Sequence, residues 1–475
     1  MSKISEIFKN TSWLLTSQII TSVFGFVWIV ILMRYLGVSD FGIMNFAISF
    51  TTIMSIFTDL GISTYVTRDL SRSPELSQKY IGNAIPLKIF LSTLTFIVTL
   101  AILFIMDYDI LTKEVVLVFA LQTIFLNMGW LFNGVFQAFG KMKYQAIGII
   151  INSSLILLGS ILLTYFNLGL MAVALTYMAG SLITLIYLYI NLRDKITIPK
   201  FQINFNFWKK SVKEAVPFGI TSIFTTIYYM IDTVMISFIV GSFAVGIYSS
   251  AYKIITVFTT IYMVYNYVVF PLMSKFYKDS EDLLKISYEK SVKYLVLIML
   301  PFAIGITIYS QDIIVLICGK NYILAESVLK ILIWNVLFVM VNGASTNLLN
   351  SSGNELAVTK INGLACLINV ALNIFLIYYL SYIGASIATV ITGIVVFTLM
   401  MYIILKNSYR PNKNLIYEIL KICISGLILA VVLLILNFSM WLALPIAIIV
   451  YLAGIYLTKS LDSTDKFIIR EIIGK

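Results

Sequence analysis

Apolar residues recur along this chain in long unbroken runs, each bounded by a short polar or basic stretch. Fourteen runs can be drawn, near 12–33, 42–66, 84–106, 115–138, 145–166, 169–190, 214–238, 244–271, 291–309, 324–349, 357–380, 383–405, 415–437 and 440–458. The last pair is separated only by the short NFSM stretch, Asn437 to Met440. A helix needs roughly 20 apolar residues to cross a hydrocarbon layer about 30 Å thick. A membrane strand would instead alternate apolar and polar positions over about ten residues. Backbone polar groups in lipid must be satisfied internally, which leaves helices or closed barrels. The runs are continuous, so the pattern predicts an all-α polytopic membrane protein with about fourteen transmembrane helices.

Composition agrees. The 475 residues are 60% hydrophobic and 12% charged, against about 25% charged in soluble domains, and the mean hydropathy is +0.97. Histidine is absent, which excludes a histidine relay and a Ser-His-Asp triad. Cys318, Cys366 and Cys423 are scattered without metal or disulfide spacing. No phosphate-binding loop or nucleophile elbow occurs. We therefore expect no enzyme, no cofactor and no metal site. The start, MSKISEIFKNTSW, reads as an amphipathic segment ahead of a retained first helix.

Lysine and arginine set the expected orientation. Of the 33, all but five fall in the even-numbered loops and the two termini. The exceptions are Arg34, Lys113 and Lys320 in the odd loops, and Lys253 and Lys330 inside spans. Both termini are thus expected to be cytoplasmic, in a multi-pass protein of the plasma membrane. The net charge of +11 reads as this topology signal rather than as a nucleic-acid surface.

The stretch 191–213 is the longest polar interruption, and the two sides of it resemble each other. ITSVF at 20–24 recurs as ITSIF at 220–224. Each copy leads into a hairpin with the same glycine spacing, Gly37-Gly42-Ala47 in the first and Gly241-Gly246-Ala251 in the second. Equal span counts and the same sense of crossing imply parallel repeats, a transporter architecture. The expected organisation is an N-terminal six-helix bundle over 1–190, a cytoplasmic linker over 191–213, a second six-helix bundle over 214–405, and two further helices with a tail over 406–475.

Charges inside such helices carry the candidate chemistry, because each costs roughly 3 kcal/mol to insert at the membrane centre. Lys253 lies about nine residues into its helix, about 13 Å deep at 1.5 Å per residue. Asp232 sits at matching depth on the preceding helix. The two either form a self-neutralising ion pair or line a polar cavity in which Lys253 meets an anionic substrate. Tyr248 and Tyr252 on the same helix, with Asn133, Gln137 and Asn342 elsewhere, are further cavity candidates, although amides also serve as interhelical glue. Asp59, Arg68 and Arg34 are candidates for gate or structural roles. Asp59 is expected to pair with Arg68 or to belong to an inner gate. Glu326 and Lys330 are expected to form a helical i,i+4 pair.

The stretch RYLGVSDFGIMNFAISFTTIMSIFTDLGISTYVTRDLSR (34–72) resembles the N-terminal signature of the polysaccharide flippases, the Wzx-type lipid-linked oligosaccharide exporters of the multidrug/oligosaccharidyl-lipid/polysaccharide superfamily. The stretch 217–254 resembles the central signature of the same family, and FQAFGKMKYQA (136–146) adds weaker support. This resemblance implies a fold like that of the MATE antiporters and lipid II flippases. Its implied activity moves an isoprenoid (pyro)phosphate oligosaccharide from the inner to the outer leaflet by alternating access, for O-antigen-type surface polysaccharide. Implied partners are that lipid-linked substrate, membrane lipid, a coupling proton or sodium ion, and a polymerase or glycosyltransferases. In the lipid II group an acid-arginine pair follows the second hairpin. Here Tyr252 stands at the acid and Lys253 at the basic position, and Arg34 is the lone basic residue at the end of the first span. These departures favour a polymer-repeat flippase over a lipid II flippase. A cation-coupled multidrug antiporter and a membrane scaffold for glycosyltransferases are the rival readings.

Overall fold

A computed structural model describes residues 3–462, except 408, 410 and 437, together with Asp465. The basic residues Arg410, Lys466, Arg470 and Lys475, which contribute to the charge asymmetry, lie outside the described residues. Among those described there are fourteen α-helices: α1 (Lys3–Asp59), α2 (Ile62–Arg72), α3 (Ser77–Ile105), α4 (Ile110–Ala138), α5 (Met142–Phe166), α6 (Gly169–Lys195), α7 (Phe205–Ile239), α8 (Ser242–Asp279), α9 (Glu281–Ile308), α10 (Ser310–Ile317), α11 (Ala325–Ser351), α12 (Glu355–Lys406), α13 (Lys413–Leu436) and α14 (Met440–Leu457).

Twelve of these are long and apolar enough to cross a membrane. Two of the twelve, α1 and α12, are broken inside by a residue of positive φ, Gly37 (72°) and Ser381 (54°). Each break falls between two of the expected spans and divides its helix into two crossings, so fourteen crossings result. Glycine reaches that region without a steric penalty, and Ser381 is the unusual case. Large side chains such as Phe104, Tyr165 and Ile435 are mostly exposed, a surface suited to hydrocarbon rather than water.

The chain forms two compact units, Met1–Ser249 and Ser250–Lys475. In the N-terminal unit a cluster of Tyr65, Leu70, Ile81, Ile85, Leu131, Phe136, Leu188 and Leu192 joins α2, α3, α4 and α6. The span expected over 42–66 ends earlier: α1 stops at Asp59, Leu60 and Gly61 take φ of 47° and 85°, and α2 leaves in a new direction. Three glycine contacts fix α7 and the start of α8 against α1 and the turn into α2. A Cβ on Gly42 would fall 1.9 Å from the Ser242 carbonyl oxygen, and one on Gly246 would fall 2.0 Å from that of Val38. A Cβ on Gly61 would stand 2.5 Å from the Ala215 oxygen. Only glycine allows backbones this close.

The polar stretch expected as a linker is held along α3. The Gln202 amide donates to the Gly82 carbonyl at 2.9 Å, the Asn204 amide to Asn83 Oδ1 at 3.2 Å, and Trp208 Nε1 to the Asn83 carbonyl at 3.1 Å. In the C-terminal unit α13 and α14 pack on α9 through Leu300, Ile304, Ile422, Leu429, Leu433, Tyr451 and Ile455.

Candidate functional site

The hairpin between α7 and α8 turns at Gly241 (φ 116°). It brings Tyr248 back to the level of Asp232, and the Tyr248 hydroxyl donates to Asp232 Oδ2 at 2.7 Å. Both residues are buried, at 3% and 1% exposure. The acid therefore accepts a hydrogen bond from a phenol, and both side chains are packed in the interior.

Lys253 lies little more than one turn further along α8, in the C-terminal unit. It is half-buried, as is Tyr252. Within that unit, among the described residues, no carboxylate lies within 4.0 Å of its ammonium. Lys330, the other lysine that the sequence reading placed inside a span, differs: it meets Glu326 at 2.5 Å in the expected helical pair. Lys253 thus places its amine in the membrane span with no carboxylate of its own unit beside it among the described residues.

Asp59 does not pair with Arg68. It pairs with Lys88, whose ammonium reaches Asp59 Oδ1 at 2.5 Å, Ser63 Oγ at 2.9 Å and the Asn127 carbonyl at 2.7 Å. The Leu60–Gly61 turn carries Arg68 away on α2. There it meets Asp69 at 2.8 Å and Glu214 at 3.8 Å, with its guanidinium over the rings of Tyr65 and Phe218. Arg68 thus ties α2 to α7. Arg34 is exposed just ahead of the Gly37 break.

The amide candidates separate. Gln137 is exposed and donates to Gln145 at 3.0 Å. Asn133 keeps a buried Oδ1 without a hydrogen bond. Asn342 donates to the Gly393 carbonyl at 3.0 Å, and its own Oδ1 is likewise unmet. Tyr288 and Ser345, and Asn373 and Asn369, form further buried polar pairs in the C-terminal unit, and Asn347 donates to the half-buried Asn266.

Two buried lysines escaped the sequence reading, which assigned them to loops. Lys88 is one. Lys293 on α9 is the other, fully buried against the Asp465 carboxylate and 3.0 Å from Glu418. Lys290 meets Asp462 and Asp465, both at 2.6 Å, and the Tyr294 hydroxyl donates to Asp465 at 2.7 Å. Asp462 and Asp465 cap each other's backbone amides. The signal was available: both lysines fall inside the apolar spans drawn at 84–106 and 291–309, and such a lysine needs a partner.

Burial pushes the Asp465 carboxyl up, and hydrogen bonds from Lys290, Lys293, Tyr294 and the Asp462 amide outweigh it, holding the group well below the ordinary carboxylate range. A depressed native pKa stabilises the fold fully above that range and is lost as pH falls through it. Asp465→Asn is expected to destabilise the solubilised protein at neutral pH by about 3 kcal/mol, read as a lower melting temperature, because Lys293 keeps only Glu418 as a close counter-charge. The wild-type advantage over this variant should shrink on acidification below about pH 4.

An all-helical fold with this many apolar crossings is that of a polytopic membrane protein. The chain belongs to the family described as polysaccharide biosynthesis protein, whose model matches residues 7–277. A second model, MatE, matches residues 217–375. An uncharacterised membrane protein of Methanocaldococcus jannaschii is 26% identical over 84% of this chain and 98% of its own length. A probable low-salt glycan biosynthesis flippase of Haloferax volcanii is 24% identical over 78% of this chain and 79% of its own. Among solved structures, a lipid II flippase MurJ in an inward closed conformation superposes with a TM-score of 0.79 at 16% identity, covering 93% of this chain and 97% of that one. The shared fold is that of the multidrug/oligosaccharidyl-lipid/polysaccharide exporters.

Proposed function

We propose that this flippase carries an isoprenoid phosphate- or pyrophosphate-linked oligosaccharide from the cytoplasmic to the outer leaflet of the plasma membrane, with both termini cytoplasmic. The physical problem is the headgroup, whose hydroxyls and phosphate lose their water in hydrocarbon. A polar path takes the headgroup across while the isoprenoid tail stays in lipid, by alternating access. The observation that carries this reading is Lys253, an ammonium placed in the span without a carboxylate of its own unit. A phosphate supplies the missing counter-charge. Asp232 on α7, held by Tyr248, is the acid that takes part in the cycle.

A multidrug antiporter would instead need an anionic site for cationic drugs, and Lys253 opposes that. The test is deletion in the native host followed by analysis of lipid-linked glycans. Complete repeat units should accumulate on the cytoplasmic face. Normal surface glycan without accumulation would sink the proposal.

A further inference from the structure

The stretch that joins α6 to α7 is polar in sequence, yet it exposes large apolar side chains. Residues 197–204 are neither helix nor turn. Phe201 and Ile203 are each 66% exposed, and Phe205 at the start of α7 is 73% exposed. The three alternate, as side chains on one face of an extended segment do. The amides of Gln202 and Asn204 between them are turned to α3, where they meet Gly82 and Asn83. Gly82 lets the segment lie this close, since a Cβ there would fall 2.4 Å from the Lys200 carbonyl oxygen. The backbone therefore fixes which face turns outward.

The depth of this face follows from α3. That helix ends at Ile105, and a hydrocarbon layer about 30 Å thick takes up about 20 residues before that end. Gly82 and Asn83 then stand about 5 Å outside the hydrocarbon, at the level of the lipid headgroups. Trp208 joins the two levels. It donates to the Asn83 carbonyl, and its ring lies 6.1 Å from that of Phe90 and 5.4 Å from that of Phe205. Phe90 is 56% exposed within the crossing. The apolar face of the connector thus runs on into the lipid-facing surface of α3.

Lysines flank this face. Lys200 is exposed on the connector. In the first turns of α7, Ser211 and Ala215 are buried, and Lys209, Lys210 and Lys213 project from the opposite side. The sequence has one acid over 196–216, Glu214, and Arg68 meets it at 3.8 Å. Among the described residues none of the four lysines lies within 4.0 Å of a carboxylate. A loop in water would carry the lysines without the exposed rings, and an acidic protein would not reach headgroup depth. Cations beside rings at that depth match anionic lipid. We propose that residues 198–213 form a recognition surface for anionic phospholipid in the leaflet on the basic side of the membrane. Phe201, Ile203 and Phe205 lie among the upper acyl carbons, and Lys200, Lys209 and Lys210 meet headgroup phosphate. The bound lipid steadies the root of α7, the helix that leads to Asp232. The inference stands apart from the oligosaccharide reading.

The test uses full-length protein purified in a neutral detergent and immobilised. Retention of radioactive phosphatidylglycerol and of phosphatidylcholine with the same acyl chains is measured at low and at high sodium chloride. Wild-type protein should prefer phosphatidylglycerol, and the preference should shrink at high salt. Each lysine beside an anionic headgroup is worth about fivefold, so replacing Lys200, Lys209 and Lys210 together by glutamine should lower the preference about tenfold or more. Should that variant fail to fold, Lys209→Gln with Lys210→Gln is measured and should lower it in part. Replacing Lys275, Lys278 and Lys406, exposed lysines of the C-terminal unit, should leave it intact. Phe201→Ser with Phe205→Ser should weaken phosphatidylglycerol retention although every lysine is kept. Equal retention of the two lipids by wild-type protein, or equal loss in both lysine sets, overturns the inference, the latter because diffuse charge then suffices. Displacement of the lipid by inorganic phosphate overturns it too, because such a site needs no acyl chain. None of these outcomes touches the Lys253 reading, which glycan analysis tests separately.

Discussion

Lys253→Glu is expected to abolish export while Lys253→Arg retains a measurable part of it. The contrast isolates the sign of the charge. Lysine, arginine and acidic residues all cost a few kcal/mol to place in a membrane helix, so insertion does not separate the two variants. A phosphate does. A hydrogen bond to a charged group is worth about 1.5–3 kcal/mol, or about tenfold to a hundredfold in an equilibrium, and glutamate replaces that attraction with repulsion. Arginine keeps the charge but spreads it over a planar fork, so partial function is the expected outcome. The assay is surface glycan in a deletion strain complemented with each variant at matched membrane levels. Equal glycan from both variants would remove Lys253 from the transport cycle.

Asp59→Leu should destabilise the protein strongly, and Lys88→Met introduced with it should restore most of the loss. Lys88 is fully buried, while the Asp59 side chain keeps 20% of its exposure. Removing one member of a buried pair costs about 3–5 kcal/mol because the other charge is left uncompensated, and replacing both by apolar residues is often near neutral. The partial exposure of Asp59 places the expected loss near 3 kcal/mol. Thermal melts of the single and double variants in one detergent decide it. Additive losses would show that the two charges do not act as a pair.

The membrane crossings were legible because hydrocarbon imposes a length and a composition on each one. The break at Gly37 was legible too, since the residue itself signals it. The break at Ser381 showed only as a short gap between two apolar runs. What escaped was non-local. Lys88 finds Asp59 29 positions away, and Lys293 finds Asp465 172 positions away. A lysine near a helix end reads as a loop charge until its partner is known. Arg68 was misassigned for a local reason, because two residues of positive φ at Leu60 and Gly61 redirect the chain after Asp59. Asp232 and Lys253 stood out as lone charges in apolar runs, whereas the hydrogen bond from Tyr248 needed the hairpin to be built.

The crossing of the two glycine hairpins is reciprocal. Gly42 lies against the carbonyl of Ser242, and Gly246 lies against that of Val38. Ser242 and Val38 each directly follow the first glycine of their hairpin. Each half therefore presents the same patch to the other, as a self-complementary surface does in a twofold homodimer. The difference in charge falls seven residues beyond the shared patch, where one copy has Lys253 and the other Ser49.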